Sequence, residues 1–330
     1  MKSLYKIPTM TEINAIQHNG YNVVSTFSGG GGSCTGYRMS GCKVLWANEF
    51  IDEAVNTYKS NHSTTIVDKS DIRTITASKI KESIGDIDVD IFDGSPPCSA
   101  FSTSGKRDKK WGKTSSYSDD KSQIVDDLFF EYSRILKDLK PKVFIAENVS
   151  GLVKGTAIGY FKIILDELKK CGYNVKASLL NAAFMGVPQA RQRLIFIGVR
   201  TDLNLQPVFP KPFTYRYNVN EILPHIRQIR MGGRPNNWSL SDRPSPTITA
   251  SDGGVSRTGY LSCGGFVRTD KGETRKYTIN ELKMISSFPS DYVLTGNFVQ
   301  QWERIGRSVP PLMMKLICDT VIEEILCKIK

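Results

Sequence analysis

The chain has 330 residues, with 44 Lys and Arg against 33 Asp and Glu, a formal net charge of +11, 40 % apolar content and seven cysteines. That length and apolar share suit one large domain or two ordinary ones, and they exclude intrinsic disorder and a disulfide miniprotein. No run approaches the ~18 apolar residues of a membrane span and the N-terminal stretch lacks an apolar signal core, so a soluble cytoplasmic protein is expected, with a polyanion as partner.

The first elements are short β-rich runs alternating with helical patterns, the signature of a parallel sheet with crossover helices. Strands are expected at Val23–Phe27, Val44–Asn48, Thr65–Val67, Val89–Phe92, Val143–Ala146, Asn174–Leu180 and Leu194–Gly198. Between the fourth and fifth, Ser122 to Leu139 sets Ile124, Leu128, Tyr132, Ile135, Leu136 and Leu139 on one helical face. Tyr160 to Lys170 does the same with Phe161, Ile164, Leu165 and Leu168. From about Thr201 to Arg304, Pro, Gly, Asn and Arg become frequent and the βα alternation ends, which predicts a smaller, irregular second domain. Pro310-Pro311 then opens a helix with Leu312, Leu316, Thr320, Ile325 and Leu326 at helical spacing, since a first turn needs no amide donors. The division expected is 1–199, 200–304 and a returning C-terminal helix over 305–330.

Cys34, Cys42, Cys98, Cys171, Cys263, Cys318 and Cys327 are odd in number and form no CxxC pair, which argues against a disulfide framework and against a zinc site. No metal is expected.

Several strand ends carry chemistry. Val23 to Tyr37 delivers an apolar strand into four glycines and a helix, a turn that lets a ligand approach bare backbone at a helix N-terminus or that serves as a flexible turn alone. The second strand ends at Glu49, where a ribose hydroxyl pair would be held, and the third is followed by Asp71. Three such features on successive strand ends describe a nucleoside pocket. The fourth strand runs into Asp93-Gly94-Ser95-Pro96-Pro97-Cys98, a thiol on a rigid proline turn, and the next supplies Glu147, an acid able to donate a proton beside it. Arg191 and Arg193, two apart on an extended chain, point to one face.

With these residues in place, the chain resembles the C5-cytosine DNA methyltransferases that use S-adenosylmethionine, from about Asn22 to Met314. The resemblance rests on eight motifs in order: the glycine turn with Phe27, Gly29, Gly31 and Gly32; Glu49; Asp71; Pro96-Pro97-Cys98; Glu147-Asn148-Val149; Gln189-x-Arg191-x-Arg193; Arg243 to Thr249; and Gly306 to Pro311. It implies a Rossmann-like class I methyltransferase sheet with helices on both faces, an α/β fold, plus a smaller irregular DNA-recognition domain.

The resemblance also implies roles. Cys98 would attack cytosine C6, Glu147 would hydrogen-bond or protonate N3, Arg193 would hold O2, Arg191 would support that pocket or position Glu147, and the Pro96 carbonyl would read the exocyclic amine. In the cofactor pocket, Phe27 would lie against adenine or ribose, Glu49 on the ribose hydroxyls and Asp71 on the adenine amine, with Phe50 and Ile72 sandwiching the ring. Gly29, Gly31 and Gly32 would shape the turn, with Leu128, Pro97, Ser308 and Val309 completing the wall. The segment 99–121, with six Lys or Arg against three Asp, would be a lid closing on duplex DNA through Ser102, Lys106 and Arg107, and Gln189 and Thr249 would add contacts.

Target recognition would lie in the 43 residues from Arg200 to Asp242, where Arg230, Arg234, Asn236 and Asn237 either read base edges or track phosphates; both readings stay open. Three positions depart from the family pattern: Ser25 in place of an acid that opens the glycine motif, Ser99 in place of Gln, and Arg307 in place of Asn. A monomer is expected. A tRNA cytosine methyltransferase and a non-catalytic DNA-binding relative are the alternatives, and the intact set Cys98, Glu147, Arg191 and Arg193 argues against the second.

Overall fold

Seven apolar, β-branched runs assemble into one sheet, as the sequence predicts. The structure, a computed structural model, describes residues 2–97, 114–116, 122–124, 127–155, 157–232, 236–254 and 264–329, the two short pieces by backbone alone. Of the expected site residues, Cys98, Ser102, Lys106, Arg107 and Arg234 lie outside the described residues, as do Ser99 and Cys263.

In chain order the elements are α1 (Met10–Asn14), β1 (Asn22–Thr26), α2 (Gly32–Met39), β2 (Lys43–Asn48), α3 (Asp52–Asn61), β3 (Ile66–Asp68), α4 (Ala77–Ile84), β4 (Ile91–Gly94), β5 (Thr114–Ser116) and β6 (Ser122–Ile124). Then come α5 (Leu128–Leu139), β7 (Val143–Val149), α6 (Ala157–Lys170), β8 (Tyr173–Asn181), β9 (Gln189–Ala190) and β10 (Gln192–Arg200). The remainder comprises α7 (Val219–Ile222), β11 (Ile226–Arg230), β12 (Ser239–Leu240), β13 (Ser245–Pro246), β14 (Phe266–Thr269), β15 (Thr274–Lys276), α8 (Ile279–Ile285), α9 (Phe298–Arg307) and α10 (Pro311–Glu324).

The large sheet has the order β3-β2-β1-β4-β7-β10-β8. β1 is parallel to β2 and β4, and β4 to β7, but β10 runs antiparallel to both of its neighbours. The expected parallel sheet therefore carries one reversed strand. Only residues 182–191 join β8 to β10, and a parallel return needs about a dozen residues or more, usually with a helix.

Alternate residues of each strand feed two cores, as the period of two requires. On one face Phe92, Phe144 and Phe196 pack under α4, α5 and α6; on the other Val23, Val44, Ile145 and Ile197 pack under α2 and α10. A third core, with Ile226, Ile229, Val267 and Leu282, lies beneath the antiparallel sheet β12-β11-β14-β15 and takes in Met10 and Ile13 from the N-terminus.

Two helix expectations are corrected. The helix expected from Ser122 starts at Leu128, because residues 122–124 pair antiparallel with 114–116 as β6. Arg73 Nη2 holds the Asp127 carboxylate at 2.7 Å at that helix start. In α10 the fully buried residues are Met313, Met314, Ile317, Cys318 and Val321, one step round from the expected Leu312 and Leu316, which pack half-buried against the same core, while the expected Ile325 and Leu326 are buried in it. The cause is Gly36 on α2, where a Cβ would stand 2.6 Å from Pro311 O and 2.7 Å from Met314 Cβ, so the two helices touch along that line. No helix among the described residues is long and apolar enough to cross a membrane.

Candidate active site

The parallel strands all end on one edge of the sheet, where loops and helix N-termini leave room for ligands. There a cavity of about 650 Å³ opens, within the range of small-molecule sites. β1 feeds it through a turn that needs left-handed backbone at Phe27 (φ 52°), Gly29 (φ 55°) and Gly31 (φ 90°) before α2 begins. Gly29 lines the cavity, and a Cβ on it would meet no protein atom within 4 Å, so bare backbone faces the open space. Gly31 faces the other way: a Cβ there would stand 2.5 Å from His62 Nε2.

Glu49 follows β2 and is tied from both sides. Its Oε2 accepts from Gly29 N and its Oε1 from Ile51 N, each at 2.8 Å. Each carboxylate oxygen keeps a lone pair for a ligand hydroxyl. Phe50 and Ile72 stand on the same wall. Asp71 does not line the cavity: its carboxylate accepts from Arg73 N at 3.0 Å, capping the turn at Ile72, and pairs with the Arg73 guanidinium at 3.2 Å.

At the other end, β4 and β7 lie side by side, with Gly94 opposite Ala146. Pro96, Pro97, Glu147, Arg191 and Arg193 all line the cavity there. Asn148 Nδ2 donates to the Pro96 carbonyl at 3.4 Å, tying the proline turn to β7. Arg193 Nε donates to Glu147 Oε1 at 2.6 Å, a charge pair almost closed to solvent. Arg191 is 1 % exposed and donates to the Ile248 carbonyl at 3.0 Å and the Gly306 carbonyl at 2.8 Å. Burial pulls its pKa well below the usual guanidinium range, and Arg193 adds to that. Its Nε has no partner among the described residues.

Phe27, Gly32, Thr249, Ser308 and Val309 also reach the cavity. Other expected residues sit elsewhere. Leu128 is fully buried in the core beneath the sheet. Gln189, expected on DNA, is instead 1 % exposed, with Nε2 on Ser286 Oγ and Oε1 accepting from Ile248 N. Arg230 lies between the rings of Trp238 and Phe266, 5.0 Å and 4.7 Å from their centroids, and Asn236 and Asn237 are exposed nearby in sequence.

Sequence reasoning missed two groups. Glu303 and Arg304 line the cavity as a buried pair at 3.0 Å, and Glu303 also accepts from Arg307 Nε at 2.7 Å. Asp93 is buried inside β4; a carboxylate in an apolar strand was the available signal. No cluster of metal-binding side chains occurs among the described residues.

The family model described as "C-5 cytosine-specific DNA methylase" matches residues 21–248 and 227–323. The chain is 28 % identical to Type II methyltransferase M1.HphI of Haemophilus parahaemolyticus, over 91 % of this chain and 86 % of that protein. It is 33 % identical to Type II methyltransferase M.MthTI of Methanothermobacter thermautotrophicus, over 88 % and 93 % respectively. A solved structure described as a DNA modification methyltransferase encoded within a prophage (E. coli) superposes with a TM-score of 0.70 at 18 % identity, covering 93 % of this chain and 99 % of that one.

Proposed function

The chain belongs to the C-5 cytosine-specific DNA methylase family and is a DNA cytosine methyltransferase, and on that premise we propose that it methylates a cytosine flipped out of duplex DNA through a covalent bond from Cys98 to C6. The observation that carries this reading is the meeting, in one cavity, of the Gly29–Glu49 cradle with the Pro96-Pro97 turn and the Glu147–Arg193 pair.

The cradle fits S-adenosylmethionine: exposed glycine backbone, a carboxylate with two free lone pairs and the Phe50–Ile72 wall suit a nucleoside carrying a cationic tail. When bound, it supplies an electrophilic methyl group. Cytosine C5 is a weak nucleophile, so the Cys98 thiolate adds to C6 and the C5–C6 π pair moves through C4 onto N3. Glu147 meets the charge developing at N3, and Arg193, on the same carboxylate, holds O2. The Pro96 carbonyl, fixed by Asn148, accepts from the exocyclic amine. Once C5 is methylated, its proton leaves to water, the C6–S bond breaks and the thiolate returns. Arg191 acts by holding the Ile248 and Gly306 carbonyls together over the site. Such chemistry cannot reach a stacked base, and flipping it out costs a few kcal/mol.

We assign residues 1–199 and 305–330 to the catalytic part and 200–304 to target recognition. Arg230, Arg234, Asn236, Asn237 and Thr249 are proposed on DNA, and Ser102, Lys106 and Arg107 in the closing segment. The Type II designation of the relatives supports a restriction–modification setting; a monomer acting in the cytoplasm is part of the same proposal.

The test is a trap. Duplex DNA carrying 5-fluorocytosine should form a covalent adduct with the wild type and none with Cys98→Ala. Labelled methyl groups should enter duplex DNA and not tRNA. No adduct on any DNA overturns the nucleophile assignment, and label in tRNA alone overturns the substrate.

A further inference from the structure

β1 and β4 are neighbours, with Ser25 opposite Asp93 and both side chains buried. An ionised carboxylate in such a place needs donors. Ser25 Oγ donates to Asp93 Oδ2 at 2.8 Å, and Tyr37 Oη donates to Oδ1 at 2.9 Å. Ser25 in turn accepts from Ser28 Oγ at 2.9 Å, and Ser28 lines the cavity. A chain of hydrogen bonds, each donated toward the carboxylate, thus runs from the cavity wall to Asp93.

The direction of the chain has a chemical meaning, because a hydroxyl has a single proton to give. With Asp93 ionised, Ser28 spends its proton inward and turns lone pairs to the cavity. With Asp93 protonated, the chain reverses and Ser28 offers its proton instead. Strand order says what meets those lone pairs. The Glu49–Phe50–Ile72 wall stands at the ends of β2 and β3, Pro97 and Glu147 stand at the ends of β4 and β7, and β1 lies between them. With adenosine on the first wall and the reacting methyl group toward the second, the amino-acid tail passes Ser28.

We infer that Asp93 is a positioning residue for the cofactor's amino-acid part: ionised, it orients Ser25 and Ser28 so that the cavity wall accepts a hydrogen bond from a cationic ammonium. The inference rests on the S-adenosylmethionine reading above. The acid that Ser25 lacks is supplied from the adjacent strand, one hydrogen bond deeper.

Burial raises the Asp93 pKa to about 7, against the bonds from Ser25 and Tyr37 and helped by the charge of Glu147. The other titratable groups facing it are Cys34 and Tyr37 on α2 and Tyr132 on α5, all pushed upward by burial and so neutral near pH 7. Cofactor binding should therefore tighten as pH rises through about 7.

The experiment titrates S-adenosylmethionine and 5′-methylthioadenosine, which has the same nucleoside but no amino-acid part, into the full chain by calorimetry on both sides of neutral pH. Wild-type affinity for S-adenosylmethionine should rise on the alkaline side. Asp93→Asn should lose that rise and bind about tenfold more weakly there, a typical coupling. Ser25→Ala, which keeps the carboxylate but cuts the chain, should do the same, and the exchange Ser25→Asp with Asp93→Ser should regain most of the affinity. Methylthioadenosine should bind all four alike. Unchanged affinity and pH response in folded Asp93→Asn and Ser25→Ala overturn the inference. If Asp93→Asn does not fold, Ser25→Ala decides. Absence of S-adenosylmethionine binding to the wild type instead overturns the cofactor reading, and this inference with it.

Discussion

Glu147 and Arg193 form a charge pair in a nearly closed wall, where removing one partner strands the other. Glu147→Gln keeps the shape and an oxygen for Arg193 but gives up the proton and the charge. Methyl transfer should fall by about 10²–10⁴-fold, the usual worth of a general acid or base, while S-adenosylmethionine affinity stays unchanged; single-turnover assays beside calorimetry separate the two. A matching fall in affinity would mean that Glu147 shapes the cofactor pocket. Arg191 differs in kind, because its two bonds tie together the Ile248 and Gly306 carbonyls, from two segments of the cavity lining. Arg191→Met should lower the melting temperature, since each buried carbonyl left without a donor costs about 1–3 kcal/mol, and thermal denaturation reads this directly. Glu49, Pro97 and Glu147 meet in one cavity, as their places at strand ends suggested, because a strand's end fixes where its next residues stand; Asp71 does not, since Arg73 takes its carboxylate. Leu128 and Gln189 were not legible, since their burial depends on what packs over them from far along the chain.

At the scale of elements, the strands were legible because most are short runs rich in β-branched or aromatic residues, and their buried residues divide between the two cores. The direction of β10 was not: hydrophobic pattern gives a strand's faces, while the length of its connection gives its sense. The start of α5 was misplaced because Ile124 continues the helical period into residues that pair as a strand instead. The crossing of α2 and α10 explains which residues of α10 are fully buried and yields a prediction. Gly36→Ala would push a methyl group against Pro311 O and Met314 Cβ. Overpacking of this kind costs about 1–3 kcal/mol, so the denaturation midpoint should fall. α2 starts at the glycine turn, so S-adenosylmethionine affinity should fall with it. A midpoint equal to wild type would mean that the two helices can slide apart at no cost.

Across the whole molecule, two buried titratable groups pull in opposite directions. His62 lies where the halves of the chain meet: Thr35 and Arg38 of α2 contact it, and so does Tyr292, whose hydroxyl also donates to the Gly30 carbonyl. None of this junction was legible, because it joins residues far apart in the sequence. Burial, with the charge of Arg38, lowers the His62 pKa from 6.5 to about 3. Between those values the unfolded chain binds a proton that the folded chain refuses, so this group makes stability rise with pH. Asp93 does the reverse, because its pKa is raised from 3.8 to about 7 and the folded state keeps a proton that the unfolded state has lost. From about pH 4 to 6.5 the two slopes, each about 1.4 kcal/mol per pH unit, oppose one another. Asp93→Asn removes one of them. Relative to wild type, the variant should gain about 2 kcal/mol of stability between about pH 4.5 and pH 6.5, and urea denaturation of both proteins at the two pH values measures it. An equal pH response in the two would mean that Asp93 titrates alike in the folded and unfolded chains, against its burial between β1, α2 and α5.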